Sequence, residues 1–355
     1  MAERDLVQPP GGVKEKAFAH GGPAGRGAIR VRPEDFRVIE DVGYAPSGDG
    51  EHLWLEIEKR GMNTVDVAHR LAKLVEVPVR SVGFAGLKDR NAVTRQPFTI
   101  QIPGRADPDW STWSDEGMRI LCAARHHRKI QRGRLAGNRF ELVIRELHGD
   151  RGELEARLGG IAELGVPNGF GEQRFGGNNI ARAHRLFRGE LRRKPSKAKR
   201  GFYLSAARSL IFNQVLARRI VDATWNKVIG GEIVMLDGTR STFAADAADP
   251  EIQARCAAQD LHPTGPMVGE GPSEVTGDAA AVESEIIDAQ RELAEGLAKF
   301  RLTTERRPLR MRVIDLEWEF EGADAMVLRF SLRSGCYATA VLRELLEYRD
   351  ASHDT

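Results

Sequence analysis

The chain has 355 residues, enough for two domains that each bury a core, with 41% hydrophobic residues, 29% charged residues and a formal net charge of +2. No apolar run approaches the roughly 20 residues of a membrane span, and Glu3 and Asp5 stand where a secretory signal would be apolar, so we expect a soluble cytoplasmic protein without a membrane role. Cys122, Cys256 and Cys336 lie far apart and are odd in number, which fits neither a disulfide framework nor a zinc site.

The first half of the chain reads mainly as strands. Residues 1–27 are rich in Gly, Pro and charge without periodicity, and we expect a mobile tail with order beginning near Ala28. Alternation at residues 52–59 predicts a half-buried strand. Residues 65–76 carry one apolar face and predict a helix with Thr64 as its N-cap and Pro78 beyond its end. Further strands are predicted at residues 97–102, 118–123 and 140–145.

The pattern changes in the second half. Residues 154–300 are mainly helical, with helices predicted at 205–221 and 283–300. Strand patterns return only at 309–320 and 326–332, before a last helix near 338–348. This order predicts an α+β fold in which a helical domain is inserted between the two halves of a mixed α/β domain.

Basic side chains concentrate in two segments although the net charge is small. Residues 182–200 hold nine Lys and Arg against one acid, Glu190, and residues 125–134 hold five with His126 and His127. Acidic residues concentrate in 246–285 instead. Clustered cations neutralise nucleic-acid phosphates, although such runs also form plain solvated faces.

One polar loop is predicted at residues 83–90, which read G-F-A-G-L-K-D-R. Gly83 and Gly86 allow a tight turn that presents Lys88, Asp89 and Arg90. The phosphate cradle of nucleotide hydrolases is missing, because Leu-Lys-Asp follows the second glycine. A surface loop in which Asp89 pairs with its basic neighbours would explain this composition without any catalytic role.

This loop closely resembles the catalytic motif of TruD-type tRNA pseudouridine synthases, G-x-x-G-L-K-D-R. Six other segments resemble blocks of that family, and the resemblance covers residues 28–348. They are R-P-E-D-F-R-V-I-E at 32–40, G-N-R-F at 137–140, V-P-N-G-F-G-E-Q-R-F-G at 166–176, S-A-A-R-S-L-I-F-N-Q-V-L at 205–216, H-P-T-G-P-M at 262–267 and Y-A-T-A-V-L-R-E-L at 337–345.

The resemblance implies an enzyme that isomerises uridine to pseudouridine in tRNA, at uridine 13, without a cofactor or a metal. It implies a catalytic domain of the pseudouridine-synthase type with an antiparallel sheet, formed by residues 28–158 and 309–350. A mainly helical α/β TRUD domain would be inserted at residues 159–308. Asp89 would be the nucleophile, Asn138 would orient it by a hydrogen bond, and Arg30 would be its basic partner, where well-known members carry lysine.

The resemblance also implies how RNA is held. Phe140 would stack on the flipped base, and Phe36 and Lys88 would contact the substrate, although both phenylalanines also suit a plain core. Phosphate contacts are expected from Arg128, Lys129, Arg192, Arg193, Lys194 and Lys197. The expected partner is tRNA, and no protein partner is implied. Two alternatives are an RNA-binding protein or tRNA chaperone without catalysis, and a small-molecule enzyme whose Gly83 loop holds phosphate.

Overall fold

A computed structural model of the chain describes residues 17–110, 113 and 115–353. The chain divides into two compact units, which are described separately. The sheet unit comprises Ala24–Leu154, Val313–Ala338 and the segment from Leu346 onward, and the helical unit comprises the segment up to Pro23, Glu155–Arg312 and Thr339–Leu345. Across these described residues, no helix combines the length and the apolar character that crossing a membrane requires.

Strands and helices are numbered here in chain order. The strands are β1 Gly25–Ile29, β2 Phe36–Asp41, β3 His52–Arg60, β4 Val82–Gly83, β5 Val93–Gln101, β6 Met118–His126, β7 Gly137–Gly149, β8 Val166–Pro167, β9 Ile233–Leu236, β10 Thr242–Ala244, β11 Leu261–Met267, β12 Glu305–Pro308, β13 Arg310–Met311, β14 Ile314–Glu321, β15 Ala325–Arg333 and β16 Leu346–Asp350. The helices are α1 Thr64–Leu74, α2 Arg151–Leu164, α3 Asn179–Phe187, α4 Lys197–Val221, α5 Pro250–Ala257, α6 Gly277–Ala289, α7 Arg291–Lys299 and α8 Ala338–Leu345.

The sheet unit is built on one ten-stranded sheet with the main order β14-β15-β7-β2-β5-β3-β6. Strand β1 joins β7 and β16 at its side, and β4 pairs with β5. The pairs β2–β5 and β1–β16 are parallel, and the other pairs are antiparallel. The predicted α+β class with a mainly antiparallel sheet is therefore confirmed.

The core of this unit follows from the alternation in β3. Leu53, Leu55 and Ile57 point to one face and are fully buried against the apolar stripe of α1, including Val67 and Leu71. Each such side chain contributes about 1.5–3 kcal/mol on burial. The predicted strand and helix thus pack against each other and share one core.

Three predicted boundaries need correction. The ordered chain begins before Ala28, because β1 starts at Gly25 and pairs with β16 and β7; residues 1–16 lie outside the described range. Asn63, not Thr64, precedes α1, and Thr64 is buried in the first turn. The helix predicted at 283–300 is two helices that meet at Gln290.

The C-terminal prediction was also wrong in part. Helix α8 ends at Leu345 and the chain continues as β16, because Leu346–Asp350 pairs in parallel with β1. The compact units also differ from the predicted domains, since Thr339–Leu345 groups with the helical unit. There the buried carboxylate of Glu344 accepts hydrogen bonds from the backbone N–H groups of Ala19 and His20.

The helical unit is organised around α4, whose 25 residues bury Ala207, Ile211 and Val215 against α3, α6 and α7. A four-stranded sheet with the order β10-β9-β11-β12 packs beside it, and β8 pairs with β13. The sequence pattern predicts no strand between residues 154 and 300, and this expectation was wrong. The sequence pattern does not predict β11 because the two prolines of H-P-T-G-P-M are atypical of a buried strand.

A buried ion pair joins α4 to Glu232, the residue before β9. Arg219 lies 2.8 Å from Glu232, and side-chain exposure is 2% for Arg219 and 0% for Glu232. Arg219 also donates to the carbonyl oxygens of Thr224 and Lys227. Removing one member of such a pair leaves the other as an uncompensated buried charge.

We expect Arg219→Met to lower the free energy of unfolding by about 3–5 kcal/mol, because Glu232 loses its counter-ion. The matched control is Arg218→Met. Arg218 pairs with Asp222 and Glu285 at the surface, so its loss should cost about 1 kcal/mol or less. Urea unfolding measures both, and an equal loss in the two variants would contradict the assignment.

Candidate active site

The loop of residues 84–92 links β4 to β5, and close packing surrounds the two glycines Gly83, the last residue of β4, and Gly86. A Cβ atom on Gly83 would lie 2.6 Å from the carbonyl oxygen of Ile130. A Cβ on Gly86 would lie 2.6 Å from Glu40 Oε2. Both positions require glycine because backbone and buried charge approach too closely for a side chain.

Lys88 anchors this loop to the sheet. Glu40 in β2 and Asn138 in β7 are cross-strand neighbours, and the Lys88 ammonium lies 2.5 Å from Glu40 Oε2 and donates to Asn138 Oδ1 at 2.8 Å. The Glu40 side chain is fully buried and that of Lys88 is 7% exposed. Lys88 is therefore occupied by contacts within the protein, and its contact with substrate stays a prediction.

The backbone of the loop is held by two polar side chains below it. Lys88 N–H donates to Thr64 Oγ1 at 2.9 Å, and the Thr64 hydroxyl donates to Gln96 Oε1 at 2.9 Å. Gln96 in turn donates to the carbonyl oxygen of Gly86 at 3.1 Å. These bonds fix the backbone on the N-terminal side of Asp89.

Asp89 is the exposed end of this arrangement. Its side chain is 45% exposed, and Oδ2 lies 2.8 Å from Arg30 Nη2. The buried Lys59 ammonium donates to the carbonyl oxygen of Asp89 at 2.7 Å. The residue is held through both its carboxylate and its backbone, while the carboxylate stays open to solvent.

Arg30 bridges two carboxylates. Its side chain is 9% exposed, and its other terminal nitrogen lies 2.5 Å from Asp350 Oδ2. Ser352 donates from its backbone N–H and its hydroxyl to Asp350 Oδ1. Burial raises the pKa of Asp350, but these hydrogen bonds and the charge of Arg30 outweigh it and hold the pKa below its usual value. Asp350 is therefore ionised at neutral pH.

The conformation of Arg30 is unusual for a non-glycine residue. Its φ of 55° lies in the left-handed region, which costs about 1–2 kcal/mol and persists only where the surroundings impose it. The guanidinium carbon lies 3.9 Å from the centroid of the Phe36 ring. Two carboxylates and one aromatic face thus determine where the cation lies.

Three aromatic rings continue from this cation into the sheet. Phe36 meets Phe140 edge-on with 6.3 Å between centroids, and Phe140 stacks on Phe330 at 5.3 Å. Phe140 is only 7% exposed. A plain core role for Phe140 fits this packing, and its contact with a base stays a prediction.

The expected link between Asn138 and Asp89 differs from the structure. In the described part of the chain, Asn138 bonds to Lys88 and no hydrogen bond joins it to Asp89. Glu40, Lys59 and Asp350 were not identified from the sequence. Lys59 had a signal, because it continues the inward series of Leu53, Leu55 and Ile57 in β3.

The residues expected to contact RNA phosphates lie in both units. In the sheet unit, the Arg128 guanidinium lies 5.0 Å from the Tyr44 ring centroid and Lys129 donates to the carbonyl oxygen of Arg80 at 2.5 Å. In the helical unit, the side chains of Arg192, Arg193, Lys194 and Lys197 are exposed around the start of α4. Lys129 is the most restrained of the set.

Comparison with known proteins identifies the family. The sequence model of "tRNA pseudouridine synthase D (TruD)" matches residues 13–193 and 178–345. A tRNA pseudouridine synthase D of Methylococcus capsulatus is 47% identical over 95% of this chain and 96% of its own length. One of Pseudomonas syringae pv. tomato is 46% identical over 93% of this chain and 94% of its own length. This chain belongs to the TruD family.

The fold of this TruD-family chain agrees with that of a solved structure. The crystal structure of a candidate tRNA pseudouridine synthase D from Methanosarcina mazei is matched with a TM-score of 0.74 at 21% identity. The match covers 93% of this chain and 95% of that chain. The family resemblance and the fold class inferred from the sequence are thereby confirmed.

Lys59 gives the TruD-family site a measurable dependence on pH. Burial lowers the pKa of Lys59 to about 8 from 10.5, an effect partly opposed by the charge of Asp89 and reinforced by that of Lys88. The unfolded chain therefore holds a proton between pH 8 and 10.5 that the folded protein has released. Stability should rise across this window.

We expect the difference in free energy of unfolding, wild type minus Lys59→Met, to increase by about 3 kcal/mol as the pH rises from 8 to 10.5. Each unit of pKa shift is worth about 1.4 kcal/mol. Urea unfolding of both proteins over this range provides the test. The difference between them should stay flat from pH 6.5 to 7.5, where both states are protonated. A flat difference up to pH 10.5 would show that folding does not lower the pKa of Lys59.

Proposed function

We propose that this protein isomerises uridine to pseudouridine in tRNA, at uridine 13, with Asp89 as its nucleophile. The observation that carries the proposal is a half-exposed carboxylate fixed by Arg30 at its oxygen and by Lys59 at its backbone. The names of the similar curated proteins support the substrate class, and the motif resemblance supports the position in tRNA.

The reaction needs no net change in redox state, because substrate and product contain the same atoms. Asp89 attacks C1′ of the ribose while the N1–C1′ bond breaks and its electron pair leaves with the base. The base turns, C5 attacks C1′, and the carboxylate is released. A proton is then lost from C5 and one is gained at N1. A carboxylate could instead assist departure of the base and later remove the C5 proton.

Both routes require an ionised carboxylate beside the substrate. The Arg30 guanidinium lies 2.8 Å from Asp89 Oδ2 and forms an ion pair with it. Arg30 also holds the carboxylate at a fixed angle, because its other arm is bound to Asp350. Arg30 and Asp350 therefore act as positioning residues.

A uridine must leave its stack to reach Asp89, and the exposed base then needs an apolar surface. Leu87 precedes Lys88 in the same loop and is 67% exposed. Phe140 is 7% exposed, so Leu87 is the more accessible apolar side chain. Arg128, Lys129, Arg192, Arg193, Lys194 and Lys197 are proposed to contact backbone phosphates.

The test is to incubate unmodified tRNA with the wild type and with Asp89→Asn, and to map pseudouridine by position. The wild type should modify uridine 13, and the variant should lose on the order of 10⁴-fold or more of the single-turnover rate, because the amide is not a nucleophile. Equal rates would leave the protein as an RNA binder without this chemistry.

The matched control is Asp324→Asn. Asp324 is an exposed carboxylate in the turn between β14 and β15 of the same unit, and its replacement removes one negative charge without touching the loop. We expect wild-type rates from Asp324→Asn. Pseudouridine at another position would retain the chemistry and overturn the assignment of uridine 13.

A further inference from the structure

The charged side chains of helix α3 and of its C-cap residue differ in their partners. His184 and the C-cap residue Arg188 both contact Glu292 of α7, at 3.2 Å and 2.6 Å. Arg182 and Arg185 are exposed and three residues apart, so they are neighbours on the helix surface.

Arg182 and Arg185 border a cavity of about 660 Å³ together with Leu191, Arg192 and Arg193 from the following loop. No acidic residue is among the lining residues. Arg185 donates a long hydrogen bond of 3.4 Å to the carbonyl oxygen of Glu190. Among residues 17–110, 113 and 115–353, none of the four guanidinium groups forms an ion pair with a carboxylate.

This arrangement is unfavourable for the isolated protein. Like charges three or four residues apart on a helix destabilise it by about 0.2–0.5 kcal/mol, and two more cations from the loop add to the repulsion. An anion in the cavity would relieve it. Guanidinium groups are suited to phosphate because their planar forks donate paired hydrogen bonds to its oxygens.

We propose that Arg182, Arg185, Leu191, Arg192 and Arg193, here called the arginine basin, bind consecutive phosphates of the RNA substrate. The inference rests on the proposed function for the identity of the RNA. A polyanion fits better than one free phosphate ion, because four exposed cations surround an open cavity that is large compared with a single phosphate group. Leu191 provides an apolar contact for a ribose. The basin lies in the helical unit, whereas Asp89 lies in the sheet unit.

The test compares two variants that each lose two positive charges from the helical unit. Arg182→Gln/Arg185→Gln removes half of the basin, and both positions stay good helix formers. Lys227→Gln/Arg240→Gln removes exposed cations from the loop after α4 and from the turn between β9 and β10. Binding of unmodified tRNA is titrated at several salt concentrations for the wild type and both variants.

The basin variant should bind about tenfold more weakly at low salt, and the slope of log K against log salt should fall by about 1–2, close to one for each phosphate that is no longer neutralised. The control should keep the wild-type slope. Equal changes in the two variants would overturn the basin, because long-range charge alone would then explain them.

Unchanged tRNA binding by the basin variant would also overturn the proposal. A second measurement compares the melting temperatures of the wild type and the variant with inorganic phosphate at matched ionic strength. If phosphate stabilises the wild type more while tRNA binding is unchanged, the basin binds a free anion and the proposal fails. A cooperative thermal unfolding transition of the variant is the control that it is folded. If the wild type binds tRNA but forms no pseudouridine, the proposed function fails while the salt slope still reports on the basin.

Discussion

The guanidinium of Arg30 is the contact on which the geometry of the site depends. Strand β1 ends at Ile29, and its parallel pairing places Ile29 opposite Asp350, the last residue of β16. Arg30 therefore lies beside one fixed carboxylate, and its other terminal nitrogen contacts Asp89 in the loop between β4 and β5. Asp350 is held by Ser352 and remains ionised. It therefore binds one terminal nitrogen of the Arg30 guanidinium, and the other terminal nitrogen is directed at Asp89.

Two adjacent residues of the loop have opposite roles for physical reasons. Lys88 is turned inward, where Glu40 compensates its charge and Asn138 accepts its hydrogen bond. Asp89 is turned outward, and its carbonyl oxygen is held by Lys59. A buried cation held by an ion pair and a hydrogen bond anchors the loop, so the backbone that presents the neighbouring carboxylate to solvent is fixed. The arginine basin is the opposite case, because its cations have no carboxylate partners among the residues that the structure describes.

The sequence predicted the parts of this structure that depend on local patterns. Alternation identified β3 and β7, and the glycine spacing together with the family motif identified the loop of Asp89. It did not predict β16, because Leu346–Asp350 continues an apolar helical pattern and becomes a strand only through pairing with β1. Asp350 could not be found for the same reason. The bond between Asn138 and Lys88 depends on the register of β2 against β7, which places Asn138 opposite Glu40 and which the sequence pattern does not reveal.

The most direct test of the role of Arg30 is a double-mutant cycle on the single-turnover rate of pseudouridine formation. Asp350→Asn should slow the reaction when Arg30 is present, because the guanidinium loses its fixed partner. In the Arg30→Met background the same change should have no further effect, since Asp350 acts on Asp89 only through Arg30. An equal loss of rate from Asp350→Asn in both backgrounds would contradict this role.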